Sequence, residues 1–483
     1  MFGFPWRALA TELGLVTLLL LMLVVDLFLP HRRKKWLGAL GLLGLGVCLH
    51  LALRFPPSVE NLTLLAHTYT ADTFLFFFRL FALLVGFLIL LSALDYSERL
   101  KAHRGEFYTL IVVAVLGIIL VAGSTDLILV FLFIELVSLT FYVLVGYLKG
   151  QPYSNEAAIK YILYGASCSA VMLYGMSLLY GLTGSTNLYA IGRSLGREHT
   201  PLHLLALFFL LTGLGFKVSM VPFHQWTPDV YQGAPTPITA FLSTGPKAAG
   251  FAVLFRFLAA SLEPLHAEWS PLVALLATAT MVVGNVTALV QTSMKRMLAY
   301  STIAHAGYML AGVAASQGRD YDAIFAVQMY LLVYLFANVG AFAVVMWFER
   351  TTGTDSIEEF TGLGQQAPFY AAALTLFLLS LTGIPPTAGF WGKYFIFLAT
   401  LKSPHWWLAL AIVVNTLISV GYYLNVVRVM YLQPSSHREP FLPSPSITWT
   451  LTLSLLATLL LGLLPNQALL WLQATSTLVF MVP

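Results

Sequence analysis

The chain has 483 residues, 59% of them hydrophobic and only 10% Asp, Glu, Lys or Arg. A soluble domain carries about 25% charged residues to hydrate its surface. Soluble enzymes, secreted domains and disordered chains are therefore excluded, leaving a polytopic membrane protein. The net charge of +4 gives no reason to expect a nucleic-acid partner. Cys48 and Cys168 lie in apolar stretches and form no disulfide framework, CxxC pair or iron–sulfur spacing. No Gly-rich phosphate loop follows a strand pattern. The expectation is a chain without a cofactor or metal of its own.

A spanning helix needs about 20 apolar residues. Along the chain, about 14 such segments centre near Leu20, Leu45, Leu83, Leu116, Leu136, Met172, Leu211, Ala249, Ala279, Leu310, Leu335, Leu381, Leu417 and Leu459. Alternating strand patterns are absent, so no barrel is expected. The first segment runs straight into His31-Arg32-Arg33-Lys34-Lys35, a stop-transfer pattern rather than a cleavage site. Basic residues in short loops mark the cytoplasmic side. Alternating from that run, 14 basic residues fall on the cytoplasmic side, among them Lys101, Lys160, Lys295, Arg296, Arg350 and Arg438. Seven fall outside: Arg7, Arg54, Arg193, Arg197, Arg256, Arg319 and Lys402. Both termini, Met1 and Pro483, are then expected on the outer side of the membrane.

Five charges sit where hydrocarbon is expected: Arg79, Glu135, Lys217, Lys247 and Lys393. Glu135 lies nine residues after Asp126, and Lys247 ten after Pro237. At 1.5 Å per residue each is roughly 13 Å into its helix or deeper. A charge at the bilayer centre costs at least ~2.5–3.5 kcal/mol on insertion scales. Snorkelling or a simple ion pair accounts for Arg79, whose replacement by alanine is expected to be mild. The other four read as a translocation path.

Prolines interrupt two of these spans. Pro222 deprives the Val218 carbonyl of its partner, and Pro385 and Pro386 do the same to Leu381 and Thr382. Broken backbone in a membrane belongs inside protein or beside a wet cavity. Pro222 and Pro386 are 164 residues apart, Glu135 and His305 170. Such an offset covers about five spans, an odd number, so the repeat is inverted. The expected organisation is an all-α polytopic membrane protein with two inverted five-helix repeats, each containing a broken helix. Residues 1–106 supply three N-terminal helices, 107–262 and 263–432 the two repeats, and 433–483 a C-terminal helix. His305 reads as a proton relay and His224 as a group at the cytoplasmic mouth. Asp229 reads as a loop or cap residue. Hydroxyls such as Ser169, Ser219, Ser243 and Tyr142 have the chemistry to hold ordered water.

The run Phe216-Lys217-Val218-Ser219-Met220-Val221-Pro222-Phe223-His224-Gln225-Trp226-Thr227-Pro228-Asp229-Val230-Tyr231 resembles the N subunits of bacterial proton-pumping NADH:quinone oxidoreductase, respiratory complex I. Pro246-Lys247-Ala248-Ala249-Gly250-Phe251, Lys295-Arg296-Met297-Leu298 and Gly383-Ile384-Pro385-Pro386 resemble that family too. Trp226-Thr227 favours the N branch over its sister pump subunits, which usually carry leucine after that tryptophan. The resemblance implies an antiporter-like subunit that moves protons while other subunits pass electrons from NADH to quinone. It implies that Glu135 pairs with Lys217, that Lys247 continues a hydrated central axis, and that Lys393 ends it. It also implies no redox centre here, and other membrane subunits of the complex, sister antiporter-like subunits included, as partners within the lipid bilayer. A sodium/proton antiporter subunit of the Mrp type is the alternative; a purely structural membrane subunit is a third reading.

Overall fold

The computed structural model describes residues 6–30, 33–57, 63–64, 67–100, 103–195, 200–316, 321–434, 441 and 443–476. Arg32, Lys101, Arg197, Arg319, Arg438, Met1 and Pro483, used above to assign sides, lie outside the described residues. Nineteen α-helices follow in order: α1 (Ala10–Phe28), α2 (Lys35–Arg54), α3 (Thr73–Tyr96), α4 (Arg104–Gly123), α5 (Leu127–Val145), α6 (Pro152–Thr183), α7 (Leu188–Ser194), α8 (Pro201–Val218), α9 (Trp226–Gly233), α10 (Thr236–Phe255), α11 (His266–Ala288), α12 (Met294–Ala315), α13 (Tyr321–Thr352), α14 (Leu363–Gln366), α15 (Pro368–Thr382), α16 (Ala388–Lys402), α17 (Trp407–Leu432), α18 (Pro445–Leu463) and α19 (Pro465–Thr475). Two paired strands of two residues each, Thr63–Leu64 and Tyr69–Thr70, and four short 3-10 or π turns accompany them.

Twelve of these helices are long and apolar enough to cross a bilayer. The polar-rich α12 and the broken pair α15–α16 complete the 14 expected spans, and each expected centre falls on one of them. The C-terminal stretch adds a second, short helix, α19, to the single one expected.

Within a bilayer, helices gain little by hiding apolar surface from lipid, so close packing and polar contacts decide which lie inside. Helices α10 and α13 have 94% of their spanning residues buried, against 33% for α6 and α17. The two interior helices carry the polar groups. Peripheral ones present leucines such as Leu132, Leu163 and Leu417 outward. Gly250 permits one of the close inner approaches: a Cβ there would stand 2.7 Å from the Val218 side chain. That contact brings α10 against the end of α8.

Two groups of five spans show matching local features. In each the fourth is broken: α8 stops at Val218 with Ser219 in the left-handed region, and α15 stops at Thr382 with Gly383 at φ 91°. Asp126 caps α5 and bridges to Asn187, while Ser293 caps α12 and bridges to Ser356.

Two buried arginines form ion pairs, the first as expected and the second not. Arg79 is 2% exposed and meets Glu12 at 2.6 Å, where the Tyr69 hydroxyl also donates at 2.8 Å. Of snorkelling and a simple ion pair, it is the ion pair that is present; because its loss would strand a buried carboxylate, Arg79→Ala is expected to cost stability rather than to be mild. Arg256, assigned above to the outer loops, is 1% exposed and donates to both Asp72 oxygens, at 3.1 and 2.9 Å, and to the Ala122 carbonyl at 2.6 Å. Its position at the end of α10 made it look like a surface charge; α3 and α4 cover it.

Candidate functional site: a buried polar axis between two broken helices

Glu135 lies near the middle of α5, facing α6 and α8. Its Oε1 accepts from Ser169 Oγ at 2.6 Å and stands 3.8 Å from Lys217 Nζ. Lys217 Nζ donates to Ser138 Oγ at 2.7 Å, one turn along α5 from Glu135, and to Ser169 Oγ at 3.4 Å. The pair is therefore linked mainly through hydroxyls. Its lysine is 10% exposed, whereas Glu135 keeps 22% exposure on the lateral surface of the chain. The carboxylate is half-buried rather than sealed inside.

The break in α8 supplies the next site. Helix termination leaves carbonyls without an intrahelical donor. The Val218 carbonyl receives Lys247 Nζ at 3.3 Å, and Ser219 Oγ receives it at 3.0 Å. Thr227 Oγ1 donates to that same serine at 2.8 Å. Lys247 is 1% exposed. The second break repeats the arrangement: Lys393 Nζ donates to the Thr382 carbonyl at 2.8 Å. The ammonium also lies 4.6 Å from the Tyr308 ring centre. Among the described residues neither of these two lysines has a carboxylate partner within 4 Å. At each break, then, one freed carbonyl is taken by a lysine.

His305, on α12, lies between the two breaks. Its Nδ1 is 2.6 Å from the Tyr330 hydroxyl and its Nε2 3.2 Å from the Tyr423 hydroxyl, which in turn bonds Ser301. Tyr334 donates to Thr302 at 3.0 Å, and Asn338 Nδ2 donates to Ser243, one turn from Lys247 on α10. A small cavity joins His305, Tyr330, Ser380 and Lys393, with space for about one water molecule. Among the described residues no group of three His, Cys, Asp or Glu side chains is placed to hold a metal.

His224 lies in the connection between α8 and α9, partly buried, with its Nδ1 lacking a hydrogen-bond partner among the described residues. It is not joined by hydrogen bonds to the chain of lysines. Asp229 is more than a cap. It accepts from Lys160 at 2.6 Å and Arg296 at 2.8 Å, tying α9 to α6 and α12. Sequence reading passed over Ser138, Tyr330, Tyr334, Asn338 and Tyr423. A signal existed for three of them: Tyr330, Tyr334 and Asn338 repeat at four-residue spacing on one face of α13.

These features define a class: a helical membrane protein with a charged axis running between two broken helices. Comparison with known proteins narrows it. The family model described as "NADH:quinone oxidoreductase/Mrp antiporter, TM" matches residues 124–419. NADH-quinone oxidoreductase subunit N of Desulfitobacterium hafniense is 41% identical, with 99% of this chain and 100% of that one covered. NAD(P)H-quinone oxidoreductase subunit 2 of a Nostoc species is also 41% identical, over 94% of this chain and 89% of its own. Among solved structures, a chain of respiratory complex I from Thermus thermophilus with bound aureothin superposes with a TM-score of 0.81 at 35% identity, covering 96% of this chain and 99% of that one. A chain of the Mrp complex from Dietzia sp. gives 0.85 at 20% identity, covering 98% and 97%, a likeness of fold alone. The chain belongs to the NADH:quinone oxidoreductase/Mrp antiporter family and, within it, to the family of NADH-quinone oxidoreductase N subunits.

Proposed function

We propose that this chain is a proton-translocating membrane subunit of a respiratory NADH:quinone oxidoreductase, with no redox group of its own. The observation that carries the reading is the pairing of each helix break with a buried lysine, Val218 with Lys247 and Thr382 with Lys393. A lysine held only by neutral oxygens has a protonation state that neighbouring charge controls, because its ammonium is disfavoured by desolvation and favoured by any nearby carboxylate. Glu135 is the charge that can be changed. Withdrawing or protonating it removes the Coulomb term favouring the Lys217 ammonium, and the proton moves on to Lys247. From there the hydroxyls around His305 and bound water carry it to Lys393. The two groups of five spans, 107–262 and 263–432, act as inverted repeats that present one break to each half of the path.

Electrons flow in other subunits, and their energy reaches Glu135 through protein contacts. The 22% exposure of that carboxylate on the lateral surface gives a neighbouring membrane subunit access to it. Purified alone, the chain is expected to oxidise no NADH; in membranes it should co-migrate with a large quinone-reducing complex on a native gel. Recovery only as a free chain with sodium-stimulated ion exchange would favour the Mrp-type alternative.

The reading places the face bearing Arg99, Arg296 and Arg350 in the cytoplasm and the opposite face, bearing Arg193 and Lys402, outside. A cysteine replacing Asn466, exposed on α19, should then react with an impermeant thiol reagent from the outer side. Labelling only after the inner membrane is opened contradicts that orientation.

A further inference from the structure

The two helix breaks match in backbone and differ in one side chain. Ser219 follows Val218 in the left-handed region, and its Oγ is the second acceptor for Lys247 Nζ, at 3.0 Å. Gly383 follows Thr382 with φ 91° and offers no such oxygen. The stem of Lys393 occupies the space instead: a Cβ on Gly383 would stand 2.9 Å from Lys393 Cδ. Lys393 Nζ bonds the Thr382 carbonyl at 2.8 Å and meets, in place of a hydroxyl, the ring of Tyr308, whose centre is 4.6 Å away. That lies within the ~6 Å over which a ring face attracts a cation.

The ring is fixed from behind. Tyr308 is buried on α12, and one residue before it α12 lies directly on the backbone of α11: a Cβ on Gly307 would stand 2.6 Å from the Met281 nitrogen. That close approach brings Asn285 of α11 to the Tyr308 hydroxyl, to which its Nδ2 donates at 3.3 Å. Asn285 is itself buried and held on both sides of its amide. Its Nδ2 also donates to Asn415 Oδ1 at 3.3 Å, and its Oδ1 accepts from the Tyr422 hydroxyl at 3.0 Å. A buried polar network with these partners is rigid, and it leaves the phenol little freedom to swing away.

A ring face attracts the charge of an ammonium without aiming a lone pair at one N–H. At the first break, the Val218 carbonyl and the Ser219 hydroxyl engage two of the three hydrogens on Lys247 Nζ. At the second, the Thr382 carbonyl engages one on Lys393, and the lysine borders the small cavity that it shares with His305 and Ser380. We propose that Tyr308 is a positioning residue for proton transfer at Lys393. Its ring face holds the ammonium where Lys247 has a hydroxyl, which leaves an N–H free for the water site beside His305, and Asn285 anchors the ring. The inference rests on Lys393 being a proton carrier, and its test separates the two claims.

The intact complex is reconstituted into vesicles, and NADH-driven proton translocation is followed with a pH dye. Position 308 is occupied in turn by phenylalanine and by phenylalanines carrying one, two and three ring fluorines. Fluorine hardly changes the size of the ring but draws electron density from its face, so the pull on a cation weakens step by step. Tyr308→Phe, which keeps the face and loses the Asn285 anchor, is expected to retain most of the wild-type rate. The fluorinated series should fall progressively, several-fold by the third fluorine, and Tyr308→Leu should be as slow as its last member. If the rate stays flat across the series while Lys393→Ala stops pumping, the role of the ring face is refuted and the charged axis stands. If Tyr308→Phe is as slow as Tyr308→Leu, the hydroxyl matters and the face does not, which also overturns the proposal. If Lys393→Ala pumps at the wild-type rate, the axis and the role of Tyr308 fall together. Should Tyr308→Leu not assemble, the fluorinated series, which keeps the size of the ring, decides alone.

Discussion

Lys247→Ala is expected to leave the assembly intact and to remove the proton translocation that runs through this chain. The lysine is 1% exposed and bonded only to the Val218 carbonyl and the Ser219 hydroxyl. Its loss strands no carboxylate, so the fold keeps its other charges paired. The proton path loses the one ionisable group between Lys217 and the His305 cluster. Lys247→Arg is the sharper variant. It keeps the charge, but guanidinium holds its proton at any physiological pH. It should therefore resemble Lys247→Ala in translocation rather than wild type. Proton uptake by energised vesicles, compared at equal amounts of assembled complex, gives the answer.

The largest effect on stability is expected from Arg256→Ala. Asp72 would remain fully buried, keeping the bond from the Leu75 N–H but losing both from Arg256, and breaking a buried pair costs about 3–5 kcal/mol. That is a large share of the roughly 5–15 kcal/mol that holds a typical domain folded. The subunit should then fall in abundance in the membrane, and the assembled complex should unfold at lower temperature. Asp72 also caps α3 by accepting from the Leu75 N–H at 2.8 Å. The double variant Asp72→Asn with Arg256→Met removes the stranded charge while keeping a capping oxygen, so it should recover part of the loss. Abundance by immunoblot and thermal unfolding of the complex measure both. Equal abundance of Arg256→Ala and wild type would contradict this role.

Much of the architecture was legible because lipid imposes a simple rule on composition. Runs of apolar residues marked the spans, and a charge within such a run was conspicuous at Glu135, Lys217, Lys247 and Lys393. The prolines marked the breaks to within a few residues, although α8 stops at Val218, four residues before Pro222. Hidden from the sequence was what fills each break: Lys247 is 29 residues beyond Val218 and reaches its carbonyl only because α10 packs back on α8. Ser138 was equally silent, since a serine in a span usually bonds its own helix. Arg256 misled for a different reason. It stands at a helix end, where a loop charge is expected, and its partner Asp72 lies 184 residues away. Local pattern carries no information about such a pair. Arg79 was conspicuous, but only the packing of α1 on α3 reveals Glu12 as its partner.

The central claim is that protons cross this chain by way of Lys217 and Lys247. The most direct measurement is proton translocation together with quinone reduction in membranes carrying Lys217→Ala or Lys247→Ala, with assembly verified by native gel. Both variants are expected to assemble and to translocate fewer protons per quinone reduced. If both assemble and pump at the wild-type rate, the charged axis does not carry the protons.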